Sequence, residues 1–288
     1  MRTSGLQAHA RSDDARRGSP PVSAELSPEQ FRRISDLLYG KSGIFLQAGK
    51  EQLVKSRLQK RLIARGLPGY SEYFELLEGP QGSAELSLMV EALTTNKTSF
   101  FREPEHFAYL SERILPQLGD TIRIWSAGCS TGEEPYSLAI TCREKLPDLS
   151  RRDARILATD LAGKVLRAAR AGIYGQEDVA DIPSPLLRKY FTERSGGGSR
   201  TYQAQETLRE LIRFAQLNLM AAWPMTGPFD LILCRNVMIY FDKKTQENLV
   251  QRFWELLRPG GHLFTGHAES LTGLDHHFHY LKPAVYQK

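Results

Sequence analysis

Residues 122 to 138 carry the segment IRIWSAGCSTGEEPYSL, in which two carboxylates directly follow a glycine-bearing turn. Gly128 and Gly132 allow the backbone to turn tightly and to approach a ligand closely. Glu133 and Glu134 precede Pro135, and acidic residues and proline are both favoured in a first helical turn. Carboxylates there would repel a pyrophosphate but suit a cationic, hydroxyl-rich ligand. The segment therefore points to S-adenosylmethionine, with its positive ammonium and sulfonium, rather than to NAD or ATP.

Five predicted strands, with helices between most of them, must position this turn. They span residues 122–127, 155–160, 212–219, 229–236 and 261–267. The nearly continuous apolar runs IRIW and LILC are typical of parallel strands covered on both faces. Pro259-Gly260-Gly261 predicts a sharp turn entering the fifth strand, and residues 278–282 and 284–288 predict a terminal antiparallel pair. The pattern indicates an α/β fold with a doubly wound sheet.

Two further regions flank or interrupt this alternation. Helical spacing predicts an all-helical domain over residues 25–95, beginning with a capping box at Ser27 and with later helices near 50–66, 70–77 and 84–93. A methyl-donor-binding domain would then span 96–288. The run SGGGS at 195–199 predicts the turn of a small β-subdomain inserted at about 180–211. Residues 1–24 lack an apolar core and are predicted to form a disordered leader.

Polar residues follow the predicted strands where ligands bind in such sheets. Asp160 ends the second strand and suits ribose hydroxyls, and Asn218-Leu219 ends the third and suits an adenine edge and face. Arg235-Asn236 ends the fourth strand, which continues to Tyr240. Each residue also has an ordinary explanation: Asp160 could cap a helix and Asn218 could simply end its strand. Their recurrence at successive strand ends favours a common site.

The run TTNKTSFFR at residues 94–102 carries many hydroxyl and amide groups beside two phenylalanines. One interpretation is the capped start of a helix near Pro104. The other is a segment folded over the active site, with Arg102 binding an anion through two parallel hydrogen bonds. The sequence leaves both open.

Composition gives no support for several classes of protein, namely disulfide-rich, membrane-spanning, nucleic-acid-binding and metal-binding ones. The chain has 288 residues, a formal net charge of +5, and three cysteines without paired spacing. A disulfide framework is therefore not expected, and no apolar run approaches the roughly 18 residues of a membrane span. The mild charge does not by itself indicate nucleic acid binding. His267 and the cluster His276, His277 and His279 are better explained as surface or strand-edge residues than as metal ligands.

Four long runs resemble the CheR family, bacterial chemotaxis methyltransferases that esterify glutamate side chains on receptors. The runs are TTNKTSFFRE, IRIWSAGCSTGEEPYSLA, ATDLAGKVLRAARAGIY and CRNVMIYFDKKTQENLVQRF…LRPGGHLFTGHAESL. The resemblance extends from about Leu26 to the C-terminus. This sequence departs from the family pattern at Ala268, where the family commonly has serine. It implies a class I (Rossmann-like) methyltransferase sheet with an N-terminal helical domain and a small inserted β-subdomain.

The resemblance also implies a set of site residues and no metal. S-adenosylmethionine, and the product S-adenosylhomocysteine, would be surrounded by Asn96, Thr98, Arg102, Glu133, Asp160, Asn218, Leu219, Arg235 and Asn236. Arg102 and Tyr240 would lie closest to the methyl group and the incoming carboxylate. Glu133 is preferred to Glu134 for the amino or ribose end of the ligand, without a firm separation of the two.

The implied partner is a cytoplasmic chemoreceptor helix that carries several glutamates. Arg57, Lys60 and Arg61, with Arg65, form one stripe of the predicted second helix. The stripe is either a solvated face or a receptor-binding surface that steers association. In some relatives the β-subdomain binds a receptor C-terminal peptide by strand addition. A cytoplasmic monomer without nucleic acid or membrane insertion is expected.

Two other classes of protein compete with this interpretation. A nicotinamide-dependent dehydrogenase is disfavoured because the chain lacks G-x-G-x-x-G and has carboxylates at the turn. A non-catalytic adaptor that retains the fold would be expected to have lost the polar groups at the strand ends, which this chain keeps.

Overall fold

A computed structural model describes residues 25–196 and 199–288. The predicted leader at 1–24 lies outside these residues. The N-terminal part contains four helices: α1 (Pro28–Ser42), α2 (Glu51–Arg65), α3 (Tyr70–Glu78) and α4 (Gly82–Leu93). At the start of α1 the Ser27 hydroxyl accepts from the Gln30 backbone and the Gln30 side chain accepts from the Ser27 backbone. The predicted capping box and the predicted helical unit are both confirmed.

The larger sheet has seven strands in the order β6-β2-β1-β7-β8-β10-β9. Strands β6, β2, β1, β7 and β8 are parallel, and β10 runs antiparallel to both of its neighbours. Their bounds are β1 (Thr121–Ala127), β2 (Asp153–Asp160), β6 (Ile212–Gln216), β7 (Phe229–Cys234), β8 (Leu257–Thr265), β9 (His279–Lys282) and β10 (Val285–Gln287). The predicted α/β alternation and the terminal antiparallel pair are confirmed.

Helices connect and flank these strands. They are α5 (Pro104–Tyr109), which continues as a π-helix over Leu110–Ile114, α6 (Glu133–Lys145), α7 (Gly163–Ala171), α8 (Ser184–Tyr190), α9 (Glu206–Arg209) and α10 (Lys243–Leu256). Both faces of β1 are covered: Ile124 belongs to one apolar cluster with Phe100 and Leu138, and Trp125 belongs to the other. The second cluster also contains residues of α1, α2 and α4. The N-terminal helices therefore pack on the layer that includes Trp125.

Several predicted strand bounds differ from those of the structure, and three of them involve site or turn residues. Strand β6 ends at Gln216 rather than 219, because the Asn218 side chain accepts from the Met220 backbone in a turn. Strand β7 ends at Cys234, since Asn236 has a φ of 59°, which a strand cannot accommodate. Strand β8 begins at Leu257 and includes the predicted turn at Gly260, where φ is 74°. The pairing register with β7 shifts across this point.

A smaller antiparallel sheet has the order β3-β5-β4, with β3 (Ile173–Gly175), β4 (Phe191–Gly196) and β5 (Ser199–Ala204). Strand β3 begins before the predicted subdomain at about 180–211. The backbone pairing of Gly196 with Ser199 closes the hairpin between β4 and β5. Strand β4 is left at one edge of this sheet. Among the helices of the described segments, none is both long enough and apolar enough to cross a bilayer.

Candidate functional site

A pocket opens at the carboxyl ends of β1, β2 and β7. Nine residues selected from the sequence line it, drawn from a segment before the sheet and from successive strand ends. They are Asn96, Thr98, Arg102, Asp160, Asn218, Leu219, Arg235, Asn236 and Tyr240. Glu133 was selected as well but is not part of the pocket wall, whereas Glu134 is. The structure thus brings together polar groups separated by up to 144 residues along the chain.

The glycine turn after β1 requires a conformation that other residues rarely adopt. Gly128 has a φ of 91°, and a Cβ built on it would lie 2.4 Å from the Cγ2 atom of Val237. The amides of Gly128 and Cys129 both donate to the carbonyl of Thr159 at 2.8 Å. The turn is therefore tied to the end of β2, and it leaves an open approach to the pocket.

Asp160 fixes the same turn from the neighbouring strand. Its Oδ2 accepts from the Ser130 amide at 2.8 Å, and its Oδ1 accepts from the Ala162 amide at 2.9 Å. Burial raises the pKa of the Asp160 carboxyl above its usual range, and the backbone hydrogen bonds counter part of that effect. Each carboxylate oxygen has further lone pairs, so Asp160 can also accept from a ligand hydroxyl.

The two adjacent glutamates of α6 have different surroundings. Glu134 accepts from the Ser126 hydroxyl at 2.7 Å and from the Arg235 guanidinium at 3.0 Å. Glu133 is buried beside the turn, and its two oxygens accept from the Thr131 hydroxyl at 2.8 Å. Within the described segments no cation pairs with Glu133, whereas Glu134 is already neutralised. Burial raises the pKa of both carboxyls.

Arg235 joins the pocket wall to the segment before α5. Its side chain is only 2% exposed, and its guanidinium pairs with Glu134 at 3.0 Å and with Glu103 at 3.1 Å. It also donates to the carbonyl of Arg102. Burial alone would raise the pKa of Glu103, but the charge and hydrogen bonds of Arg235 and the hydrogen bond from the His267 amide together lower it below its usual value. Arg235 is therefore held from both sides as a buried cation.

The segment at residues 94–102 lies along the pocket, and α5 begins directly after it. The Ser130 hydroxyl donates to the carbonyl of Asn96 at 2.9 Å, which ties the segment to the glycine turn. Arg102 donates to the carbonyl of Lys97 at 3.1 Å. Within the described chain no carboxylate lies in ion-pair distance of Arg102, so its charge is available to a ligand. Glu103, the residue before α5, provides no side-chain cap, so the hydroxyl-rich run is not a simple capped start.

The N-terminal helical unit contributes pocket residues that sequence reasoning missed. Ser42 and Ile44 line the pocket beside Asn218. The Asn218 amide donates to the carbonyl of Lys41 at 2.6 Å, so it is engaged within the chain rather than free for adenine. The backbone amide of Phe45 donates to the carbonyl of Tyr240 at 2.8 Å. No local pattern around residues 41–45 signals these contacts, because the partners lie about 180 residues away.

Glu269 is a second missed residue. Its Oε2 accepts from the amides of Asn236 and Gly266 at 2.6 Å, and its Oε1 accepts from the amide of Ile239 at 3.1 Å. It therefore fixes the loop that carries Asn236 and leads to Tyr240. The motif GHAES was the available signal, but only His267 and Ala268 within it were considered, and Glu269 was not.

The basic stripe of α2 is largely engaged within the chain. Arg57 donates to the carbonyls of Leu93 and Thr94 at 2.5 and 3.0 Å. Arg61 and Arg65 both pair with the fully buried Glu85 at 2.7 Å. Three of the four cations of the predicted stripe therefore have partners within the chain, so the stripe is not simply a solvated face, and its role in receptor binding stays a prediction. Lys60 and Arg65 are the exposed members of the stripe, and Arg65 is engaged with Glu85.

Comparison with known proteins identifies relatives over most of the chain. Residues 29–94 match the family model described as CheR methyltransferase, all-alpha domain, and residues 96–286 match CheR methyltransferase, SAM binding domain. A probable chemotaxis protein methyltransferase of Rhizobium etli is 46% identical, over 82% of this chain and 91% of the relative. A chemotaxis protein methyltransferase of Klebsiella aerogenes is 42% identical over 91% of this chain and 90% of the relative. One of Escherichia coli K12 is 41% identical over 91% of each chain.

Proposed function

This chain belongs to the CheR methyltransferase family and uses S-adenosylmethionine to methylate chemoreceptor glutamates, and we propose that the pocket at the ends of β1, β2 and β7 is where it does so. One observation carries the proposal. Nine of the ten residues selected from the sequence for the methyl donor and the reaction line a single pocket. The products are a glutamate methyl ester and S-adenosylhomocysteine.

We assign the two ends of the donor to different carboxylates. Asp160 accepts hydrogen bonds from the ribose hydroxyls while it keeps the Ser130 amide of the glycine turn in place. Glu133 binds the ammonium, because it has no cation partner within the described residues. Glu134 instead holds Arg235. The preference for Glu133 rests on its charge, which is unpaired within the described part of the chain. Position alone would favour Glu134, which lies on the pocket wall.

The reaction is an in-line displacement. A carboxylate oxygen of the receptor glutamate forms a bond to the methyl carbon as the carbon–sulfur bond breaks, and the electron pair stays on sulfur. An ionised carboxylate is already nucleophilic, so no proton needs to be removed. The negative nucleophile and the positive sulfonium neutralise each other, so orientation is the main contribution, and well-aligned reactants lower a barrier by about 7–11 kcal/mol.

Arg102 and Tyr240 provide that orientation in our proposal. Among the described residues the Arg102 guanidinium donates only to the Lys97 carbonyl, so its other donors can bind the incoming carboxylate. Tyr240 lines the same pocket, and its backbone is fixed by Phe45. Its side chain positions the carboxylate or the methyl donor.

Receptor recognition rests on the α2 surface and on the smaller sheet. We propose that Lys60 faces the acidic receptor helix, with weaker contributions from Arg57 and Arg61, which have internal partners. Strand β4 is at an edge of the β3-β5-β4 sheet and offers a place for a receptor C-terminal peptide to add as a strand. We propose that the protein acts as a cytoplasmic monomer.

The experiment uses the full chain in two steps. Calorimetric titration with S-adenosylmethionine, S-adenosylhomocysteine and NAD separates a methyltransferase from a dehydrogenase. Incubation with methyl-labelled donor and receptor-bearing membranes then tests transfer, and base treatment of the labelled receptor should release volatile methanol, as an ester requires. Binding of NAD alone, or label stable to base, would overturn the proposal. Donor binding without transfer to any receptor would favour the adaptor.

A further inference from the structure

Two histidines and a carboxylate converge beside the pocket in a cluster that the methyl transfer does not use. Glu103 precedes α5, His106 lies in its first turn, and His267 follows β8. One ligand atom from each of the three lies within 4.8 Å of the other two. A carboxylate with two imidazoles is a donor set typical of zinc and related divalent transition metals. The sequence favours a surface or strand-edge position for His267 over a ligand role, and no pattern in it points to Glu103 or His106 as metal ligands.

His106 supplies an independent indication. Its side chain is 1% exposed, and neither ring nitrogen has a hydrogen-bond partner among the described residues. A buried polar group left without a partner costs about 1–3 kcal/mol and requires an explanation. Its Nδ1 lies 3.4 Å from the Glu103 Oε2 without making a hydrogen bond. That separation is close to the distance of about 3.4 Å between two ligands of a tetrahedral metal with bonds of about 2.1 Å.

The cluster is fixed by its neighbours. The His106 ring packs on the buried Phe264 with centroids 4.9 Å apart and on His267 with centroids 5.1 Å apart. The His267 backbone amide donates to the Glu103 Oε1 at 3.1 Å. Glu103, His106 and His267 are therefore held together before any ion arrives, and the exposed His267 provides an entrance from solvent.

Arg235 is the competing cation, since it already pairs with Glu103 at 3.1 Å. Its guanidinium also pairs with Glu134 and donates to the carbonyl of Arg102, so it keeps partners if Glu103 takes up a metal. Arg235 does not bond to His106: its donors are directed to Glu103, Glu134 and the Arg102 carbonyl, and both ring nitrogens of His106 stay without a partner among the described residues. A guanidinium has no acceptor, so it could bond only to the unprotonated nitrogen of a neutral imidazole and never to its N–H. Two imidazoles also favour Zn²⁺ over Mg²⁺, which prefers oxygen ligands.

We propose that Glu103, His106 and His267 bind one divalent transition-metal ion of the Zn²⁺ type, at a site beside the methyl-transfer pocket. The site does not depend on the identity of the methyl acceptor. Its coupling to the pocket runs through Arg235, which contacts Glu103 on one side and lines the pocket on the other.

The test is metal binding by the full, untagged chain. Zn²⁺ is titrated in competition with a chromogenic chelator, and Co²⁺ is used as a spectroscopic probe of the ligands. We expect one ion per chain and no thiolate-to-cobalt absorption, since the three cysteines are buried. His267→Ala should weaken Zn²⁺ binding at least about tenfold, because one of three protein ligands is lost.

His279→Ala is the matched control, since it removes another exposed histidine, on β9, and should leave Zn²⁺ affinity unchanged. Circular dichroism of each variant checks that it folds. Because His267 is at the surface, its replacement tests the site without changing the buried His106. Three results would overturn the proposal: no stoichiometric binding at micromolar Zn²⁺, equal affinity of wild type and His267→Ala, or loss of binding in His279→Ala alone.

Discussion

The guanidinium of Arg235 donates to the backbone carbonyl of Arg102, so a buried cation holds the chain from which the proposed substrate-orienting cation extends. The same guanidinium pairs with Glu134 on the pocket wall. A change at Arg235 should therefore affect stability and ligand binding together.

Replacing Arg235 with methionine should lower the free energy of unfolding by about 3–5 kcal/mol, because Glu103 and Glu134 would remain buried without their shared cation. The Arg235→Met variant should also lose binding of S-adenosylhomocysteine. Denaturant unfolding and calorimetry measure the two effects. Arg200→Ala is the control, since its pair with Glu193 is exposed and contributes little. Wild-type stability in Arg235→Met would contradict this role.

Glu133→Gln and Glu134→Gln should separate the adjacent carboxylates. Loss of a charged hydrogen bond to the ligand ammonium should cost Glu133→Gln about 1.5–3 kcal/mol of binding free energy for S-adenosylhomocysteine. Glu134→Gln should mainly lower stability, because it removes a partner of Arg235. Methylthioadenosine has no ammonium and should bind Glu133→Gln as well as it binds wild type. If Glu134→Gln alone bound S-adenosylhomocysteine more weakly while binding methylthioadenosine normally, then Glu134 rather than Glu133 would be the ligand of the ammonium.

Arg102→Lys should slow methyl transfer by about tenfold or more, because lysine keeps the charge but loses the planar donors that match a carboxylate. Tyr240→Phe should slow it less, since only one hydroxyl is removed. Single-turnover methylation of receptor membranes at saturating donor measures both. Arg113→Lys, at an exposed arginine outside the pocket lining, is the control. Unchanged rates in both site variants would remove Arg102 and Tyr240 from the reaction.

Lys60→Glu and Arg57→Ala should have different effects although both alter α2. Lys60 is exposed, so its charge reversal should slow receptor methylation at low salt, converge with wild type at high salt, and leave donor affinity unchanged. Arg57 holds the Leu93 and Thr94 carbonyls beside the pocket, so its loss should weaken S-adenosylhomocysteine binding. Lys145→Glu, on α6, is the exposed-charge control. A salt-independent loss in Lys60→Glu would contradict steering.

Local patterns predicted the elements and nine of the residues that line the pocket because their causes are local. The capping box at Ser27 fixes the start of α1, and the apolar run before Gly128 fixes β1. Parallel strands then bring their carboxyl ends together whatever the connecting helices contain. Asp160 and Arg235 could therefore be assigned to one site from the sequence.

Contacts between distant segments could not be predicted in the same way. Ser42 reaches the pocket only because α1 packs against the sheet layer of Trp125, which no spacing rule specifies. The stripe on α2 has the spacing of an exposed charged face, but Glu85 on α4 neutralises Arg61 and Arg65. A single acidic residue on another helix thus turns part of a predicted exposed charged face into ion pairs within the chain.

Glu85 also makes the helical unit sensitive to acid. Its side chain is fully buried, and burial alone would raise its pKa, but hydrogen bonds from Arg61, Arg65 and Tyr73 outweigh that effect and lower the pKa below its ordinary value. A carboxyl with a depressed pKa in the folded state stabilises the fold above its unfolded pKa of about 4.3. That contribution is lost as the pH falls through the lower, folded pKa.

Glu85→Gln should therefore lower the free energy of unfolding near neutral pH by about 3 kcal/mol, at the lower end for a broken buried pair because Arg61 is 20% exposed. Below pH 4 the difference from wild type should shrink, since protonated Glu85 resembles glutamine. Denaturant unfolding from pH 3 to 7 measures the two curves, and Glu193→Gln, at an exposed pair, is the control. Curves for wild type and Glu85→Gln that stayed parallel across this range would show that Glu85 has the same pKa in the folded and unfolded states, so that Arg61 and Arg65 do not stabilise its charge.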